Sequence, residues 1–350
     1  MTTRPRPLFF FVVSCVAAVP TAALGQTADA SPDTVWLNPP AGEGPARAVT
    51  GEIVELTGET VVMRRPSGQE LSYEATRLVR FETARSAELL KAGQLQEAGD
   101  LAAALQHYRQ ALRAEPRRWM QRRILAEMIS LEAALDRVEL AGGHFLELLA
   151  DDPATPDFYR VPLCWWAAAP SRRLEAEAAN WLKSKEDVAR LMGASWLLTT
   201  RFRADATAAL EELKRSIDRR ISRLAQAQLW RTQIATAGEE TVDRWRRELA
   251  KFPPDLRGGP DYVAGQALAR QKRFEPAARH LLRGPLTQPE HRRLAVRGLL
   301  EAGAALERAG HVRDAARLYR EAIDRFAEEA GVEAKARLER LREKAEGQDE

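Results

Sequence analysis

The spacing of hydrophobic positions changes character along the chain, and each change marks a different kind of element. Residues 1–25 place Arg4 and Arg6 ahead of a mostly apolar run from Leu8 to Leu24, with small residues leading into polar Gln26 and Thr27. That is the layout of a cleaved secretory signal; Pro20 and the lack of a basic flank beyond the run argue against a retained membrane span. Residues 26–48 are rich in Pro, Gly, Ala and Asp and show no period, which predicts a disordered linker. In residues 49–83, short β-branched runs are separated by Thr57-Gly58 and Pro66-Ser67-Gly68, predicting strands near 51–56, 60–65, 69–73 and 78–82. Alternation puts Val61 and Met63 on one face of such a strand. So short a β-rich module buries little surface alone, so it is expected to lean on the helices that follow. From Ala84 onward the period is helical and stays so to the end.

The stretch EAGDLAAALQHYRQALRAEP, residues 97–116, contains a helix end, a Gly99-Asp100 turn and an amphipathic helix closing near Pro116. Ala104 is a small position where two helices can approach closely, Tyr108 lies one turn later, and Ala111 follows on the same face. This stretch resembles one unit of the tetratricopeptide repeat (TPR), a helix-turn-helix of about 34 residues. A weaker copy follows: from Pro116 to Pro153 is 37 residues, and Ala141, Phe145 and Leu148 take the matching positions, although the turn has lost its Gly. Near the C-terminus, Gly265, Phe274, Ala277 and Leu281 form a third copy ending at Pro289. Gly303, Gly310, Ala315, Tyr319 and Ala322 form a fourth, and both Gly265 to Gly303 and Ala277 to Ala315 advance 38 residues. Between these copies, VARLMGASWLL (188–198) and ISRLAQAQLWR (221–231) recur 33 residues apart, a pattern similar to HEAT packing or to diverged TPR units. KFPPDLRGGPDY, residues 251–262, breaks the helical pattern and reads as a hinge between halves.

The resemblance is to exported bacterial TPR proteins. It implies a mainly α fold, an α-solenoid of helical hairpins, preceded by a small β-rich meander resembling an SH3 or Sm module. The expected organisation is a signal at 1–25, a linker at 26–48 and a β-rich module at 49–83. TPR-like repeats follow at 84–154, a degenerate or HEAT-like region at 155–257, and C-terminal repeats with a capping helix at 258–350. TPR arrays bind peptides or partner proteins on a concave surface, so the resemblance implies a scaffold and not a catalyst.

Composition narrows the functional classes. The 350 residues are 45% hydrophobic and 29% charged, too apolar for a chain disordered throughout. The 53 Lys and Arg nearly balance the 50 Asp and Glu, leaving a formal net charge of only +3, which argues against nucleic acid as a partner held by bulk charge. Cys15 sits in VVSC, loosely similar to the lipobox of bacterial lipoproteins, so lipid anchoring is the alternative to soluble secretion. Signal removal leaves Cys164 alone; its LCWW setting suggests a buried, inert thiol.

His107, His144, His280, His291 and His311 form no i, i+4 metal pair, and no Cys/His spacing for zinc is present. No GxSxG, Walker-type or GxGxxG segment occurs, and Gly142-Gly143 and Gly258-Gly259 lack the strand-to-helix setting of phosphate loops. The adjacent acids Asp151-Asp152 and Glu239-Glu240 diverge rather than converge on a substrate. Trp165, Trp166, Trp181, Trp196, Trp230 and Trp245 crowd the middle, read first as inter-repeat core and otherwise as an aromatic cleft. The expectation is a non-enzymatic exported scaffold or adaptor of the periplasm or envelope. It needs no catalytic, cofactor or metal residues, has ligand-binding residues unknown, and binds a protein or peptide partner. The alternatives are a lipid-anchored envelope assembly factor or, less favoured, an envelope enzyme among the tryptophans.

Overall fold

The computed structural model describes residues 32–40 and 44–346, with side chains to Glu343, so the expected signal at 1–25 and Cys15 lie outside the described residues. The chain is mainly α-helical with one small antiparallel sheet at its N-terminal end. Strands β1 (Asp33–Leu37), β2 (Arg47–Leu56), β3 (Thr60–Arg64), β4 (Glu70–Glu74) and β5 (Leu78–Glu82) are ordered β4-β3-β2-β1-β5. β1 falls inside the stretch expected as a disordered linker, which corrects that reading. Its DTVWL alternates in burial, with Val35 and Leu37 facing the core. The period-2 signal covers only five residues and is hidden by the Pro- and Gly-rich sequence around it. A single 3-10 turn, Ala75–Arg77, separates β4 from β5, which crosses back to pair with β1.

Val61 and Met63 do share the buried face. That face has no core of its own. Val35, Leu37, Ile53, Val61 and Met63 form one cluster with residues of helices α1 (Ala87–Glu97), α2 (Leu101–Ala114) and α3 (Arg118–Ala134). The Trp119 indole N–H donates to the Ile53 carbonyl at 2.9 Å, and the Gly58 amide donates to Asp152 at 2.9 Å. Arg122 reaches the Leu56 carbonyl, Glu55 and Asp151 together.

The TPR-like positions pack as hairpins. Asp100 caps α2 by accepting from the Ala103 amide, Ala104 and Ala111 are buried, and Tyr108 donates to Gln96 of α1 at 2.8 Å. The second pair is α3 with α4 (Val138–Asp151). Helices α5 (Arg172–Leu182) and α6 (Asp187–Leu197) form the next hairpin, followed by α7 (Arg203–Leu213) and α8 (Arg219–Arg231). Then come α9 (Glu239–Leu249), α10 (Gly258–Arg270), α11 (Phe274–Leu281) and the one-turn α12 (Arg283–Thr287). The last elements are α13 (Arg292–Arg308), α14 (Val312–Arg325) and α15 (Ala327–Glu346). The four TPR-like turns share one backbone solution: Gly99, Asp136, Lys272 and Gly310 have φ of 87°, 61°, 60° and 86°. Two of them are not glycine. In the last three turns an amide bonds the carbonyl five residues back, from Arg137 to Glu132, Arg273 to Leu268 and His311 to Leu306. The Gly missing from the second copy is therefore replaced in conformation by Asp136, at the modest cost that a left-handed non-glycine residue carries.

The array closes on itself. Contacts run from α4 to α6, α6 to α8, α8 to α10 and α10 to α13, and α13 returns to α3. An ion pair between Arg293 and Asp136 (2.5 Å) and a stack of Tyr159 on His291 (centroids 5.8 Å) mark the seam. The expected hinge at 251–262 is instead packed inward: Phe252 and Leu256 are buried, and α10 starts against Trp165.

Adjacent glycines on α4 provide a test of this packing. A Cβ on Gly142 would lie 2.3 Å from the Trp181 ring, whereas one on Gly143 meets nothing within 4 Å. Gly142→Ala is expected to destabilise by roughly 1–3 kcal/mol through overpacking. Gly143→Ala is expected to stabilise by about 0.5–1 kcal/mol through helix propensity. Urea unfolding midpoints of the two variants should move in opposite directions.

Candidate functional site

The interior of the ring is where a partner segment would be expected, and the chain fills it with its own residues. After α4, a 3-10 turn at Pro156–Arg160 leads into an irregular stretch, residues 161–171, with no helix or strand of its own. Val161, Leu163, Cys164, Trp165 and Trp166 are all buried. Side chains of the surrounding helices hold alternate carbonyls of this strap. Trp196 donates to Pro162 at 2.8 Å, Gln228 to Cys164 at 3.0 Å, Arg231 to Trp166 at 2.8 Å and Thr199 to Ala168 at 2.5 Å. The Cys164 amide donates to Ser195 Oγ at 3.2 Å. Ser195 and Gln228 are 33 residues apart, at equivalent places in the recurrence of α6 and α8. That repeat therefore marks the two helices that grip the Cys164 peptide from both sides.

Arg160 anchors the start of the strap. It is buried among Ser130, Glu127 (2.8 Å) and Asp157 (3.0 Å). Burial pushes the Asp157 carboxyl up, but the charges of Arg123 and Arg160 outweigh it and hold the carboxyl below the usual carboxylate range. Trp165 lies flat against α10, where a Cβ on Gly259 would fall 1.9 Å from the indole. Only glycine allows that approach. Trp166 meets Trp196 edge-on at 6.4 Å and carries Arg297 over its ring at 4.8 Å. Trp230 stacks on Trp245 at 5.3 Å, and Trp181 fills the space above Gly142. The six tryptophans are buried packing residues.

Two groups of side chains have perturbed acidity. Tyr262 donates to Glu301, and Gln266 donates to both. Burial raises the Tyr262 hydroxyl, helped by the Glu301 charge, and burial likewise raises Glu301. At the seam, burial raises Glu290, and burial together with Arg160 pushes His291 down to about 4. Glu290 and His291 border a cavity of about 60 Å³ lined also by the strap, α3, α4 and the start of α13. That holds a few waters, against roughly 300–1,000 Å³ for a typical small-molecule pocket.

The remaining histidines each face an acid: His107 Glu88 (2.6 Å), His144 Glu132 (2.7 Å), His280 Asp261 (2.6 Å) and His311 Glu275 (3.0 Å). Asp151 pairs with Arg118 and Arg122 while Asp152 binds the sheet, so these neighbours point to different partners. Glu239 and Glu240 lie in the first turn of α9. Cys164 is buried, its thiol raised by burial and donating to the Trp166 carbonyl. Among the described residues no cluster of His, Cys, Asp and Glu has the arrangement of a metal site, and no helix is long and apolar enough to cross a membrane. No protein-family profile, curated protein or solved structure matches this chain.

The strap and its anchors were not legible as a site. Leu163-Cys164-Trp165-Trp166 reads as core, and the polar residues that hold it are scattered over α6, the turn after it and α8. The 33-residue recurrence was the one signal that could have paired Ser195 with Gln228. Displacing the strap would expose five buried side chains worth about 1.5–3 kcal/mol each, on the order of 10 kcal/mol. That equals the whole stability of a typical domain. The inner groove expected to hold a partner is thus occupied by the chain's own strap.

The His291 environment sets a pH dependence. Its folded pKa of about 4 lies below the unfolded value of about 6.5, so the unfolded chain binds the extra proton between them. The stability it confers is present above pH 6.5 and is lost as pH falls towards 4, at most about 3 kcal/mol. Glu290 and His144, both raised, contribute with the opposite sign and remain in a His291→Phe variant. Between pH 7 and 4, wild type should lose more stability than this variant, measured by urea unfolding at each pH.

Proposed function

We propose that this protein is a non-enzymatic, exported scaffold or adaptor that holds a protein segment or another envelope component on its helical surface. The observation that carries the reading is the filled ring. Inner helices whose side chains hold alternate carbonyls of an extended chain have the chemistry of peptide-holding repeats, and here the occupant is residues 161–170. A body stiffened in this way has its rims, outer helices and sheet edges free for partners. Large apolar side chains stand exposed there, with Ile217 at 100%, Val332 at 89% and Leu286 at 67% exposure. The tryptophans, which an envelope enzyme would need around a cleft, are spent on packing. The sequence layout at 1–25 supports export, and Cys15 offers lipid anchoring as the alternative route to the envelope.

Two measurements test the reading. Mass spectrometry of the tagged chain expressed in a bacterial host should find a mature N-terminus near residue 26 in the soluble envelope fraction. Membrane fractionation abolished by Cys15→Ser would support the lipid-anchored alternative, and a cytoplasmic chain retaining residues 1–25 would refute export. Photo-crosslinkers placed at Ile217 or Leu286 should each capture a discrete partner, whereas one at the buried Leu163 should yield only internal links. Absence of any partner from the outer positions would overturn the scaffold reading.

A further inference from the structure

Where α13 ends beside the middle of α15, Ala304, Glu307, Arg308, Arg337 and Arg340 line a cavity of about 250 Å³. Its three guanidinium groups stay charged at any physiological pH. Arg308 and Arg340 are exposed and make no ion pair among the described residues; Arg340 donates only to the Ala336 carbonyl of its own helix, at 3.4 Å. Arg337 is held in place from several sides. Its terminal nitrogens donate to the Leu300 carbonyl (3.0 Å) and Glu333 (2.6 Å), and its guanidinium lies 5.6 Å from the centre of the Tyr319 ring. Its Nε is buried without an acceptor. A positioned arginine flanked by two exposed arginines around one cavity gathers donors that suit an oxygen-rich anion. Glu307, which accepts from Tyr319 at 3.5 Å, opposes such a ligand from the same wall.

We propose that this cavity binds a phosphate monoester. The guanidinium fork matches the oxygens of a tetrahedral oxyanion. The cavity is much larger than the roughly 30 Å³ that one water occupies in the liquid, so it has room for a substituent beside the phosphate. The same chemistry is presented by a soluble phosphorylated molecule and by the headgroup of an anionic lipid. This site is independent of the strap and of the scaffold reading.

Calorimetric titration of the full chain with glycerol 3-phosphate, at constant ionic strength, provides the test. Saturable binding is expected, weakened by about tenfold in Arg308→Gln and in Arg340→Gln. Both replaced residues are exposed, so the variants should keep the fold, which circular dichroism checks. Glu307→Gln should bind several-fold more tightly, a gain that a folding defect would not produce, and Arg65→Gln, at an exposed position in the β3–β4 turn of the sheet, should match wild type. Sedimentation with phosphatidic acid vesicles, against phosphatidylcholine vesicles, separates the two sources. Binding of vesicles in the same order of variants identifies a lipid headgroup, and binding of the soluble ester alone identifies a soluble ligand. Saturable binding of neither, or equal weakening by Arg65→Gln, overturns the proposal.

Discussion

A buried backbone outside helix or sheet must find a partner for its amides and carbonyls, and this constraint shapes the centre of the molecule. Residues 161–170 cross the ring interior without helix or strand bonds, so the surrounding helices must place polar atoms among apolar side chains. Ser195 and Gln228 do so at equivalent positions of α6 and α8, holding the amide and the carbonyl of Cys164. Arg231 goes further: it donates to the Trp166 carbonyl, the Ser195 carbonyl and Gln228, so one side chain ties the strap to both helices. Burial lowers its pKa with no carboxylate on it, yet a guanidinium starts so high that it stays charged. Its bonds to neutral carbonyls are therefore charge-assisted and stronger than ordinary ones.

The same logic joins the sheet to the helices. A five-stranded sheet this small cannot support a core, and its inner face is completed by Ala104, Leu105, Trp119 and Ile124. Trp119 both fills that core and bonds the Ile53 carbonyl, while Ile53 in turn donates to the buried Asp33 carboxylate at 2.7 Å. Asp33 opens β1, so the strand concealed in a linker-like sequence is held by the central bulged strand of the sheet. Arg122 and Asp152 bind the far end of β2 and the turn after it to α3 and α4. The β-rich module and the first repeats are one folding unit in energetic terms.

What could be read from the sequence was local. Small residues at Ala104, Ala141, Ala277 and Ala315 encode helix approach within a hairpin, and all four are fully buried. The mainly α class and the small β module follow from period alone. Long-range features have no such signature. The strap's partners lie 31 to 65 residues away in sequence. Ring closure depends on residues as distant as Asp136 and Arg293. The turns illustrate the boundary between the two cases. Gly99 and Gly310 announce a left-handed turn because glycine adopts it at no steric cost, whereas Asp136 and Lys272 are driven into it by the helices they connect.

The irregular repeat lengths, a nuisance for register, become informative once the ring is considered. The 38-residue spacing from Gly265 to Gly303 accommodates α12, a one-turn insertion that packs on both α10 and α13. The 37-residue spacing from Pro116 to Pro153 contains α3, which at 17 residues is six longer than α1. Helix α13 is also 17 residues long, and α3 and α13 are the two helices that meet at the seam. Extra turns on those two helices bring their ends within reach of each other and of Tyr159 and His291. In an open solenoid each added residue lengthens an exposed groove. Here the added residues close the groove over a strap already bound by the chain, so the concave face is filled from within.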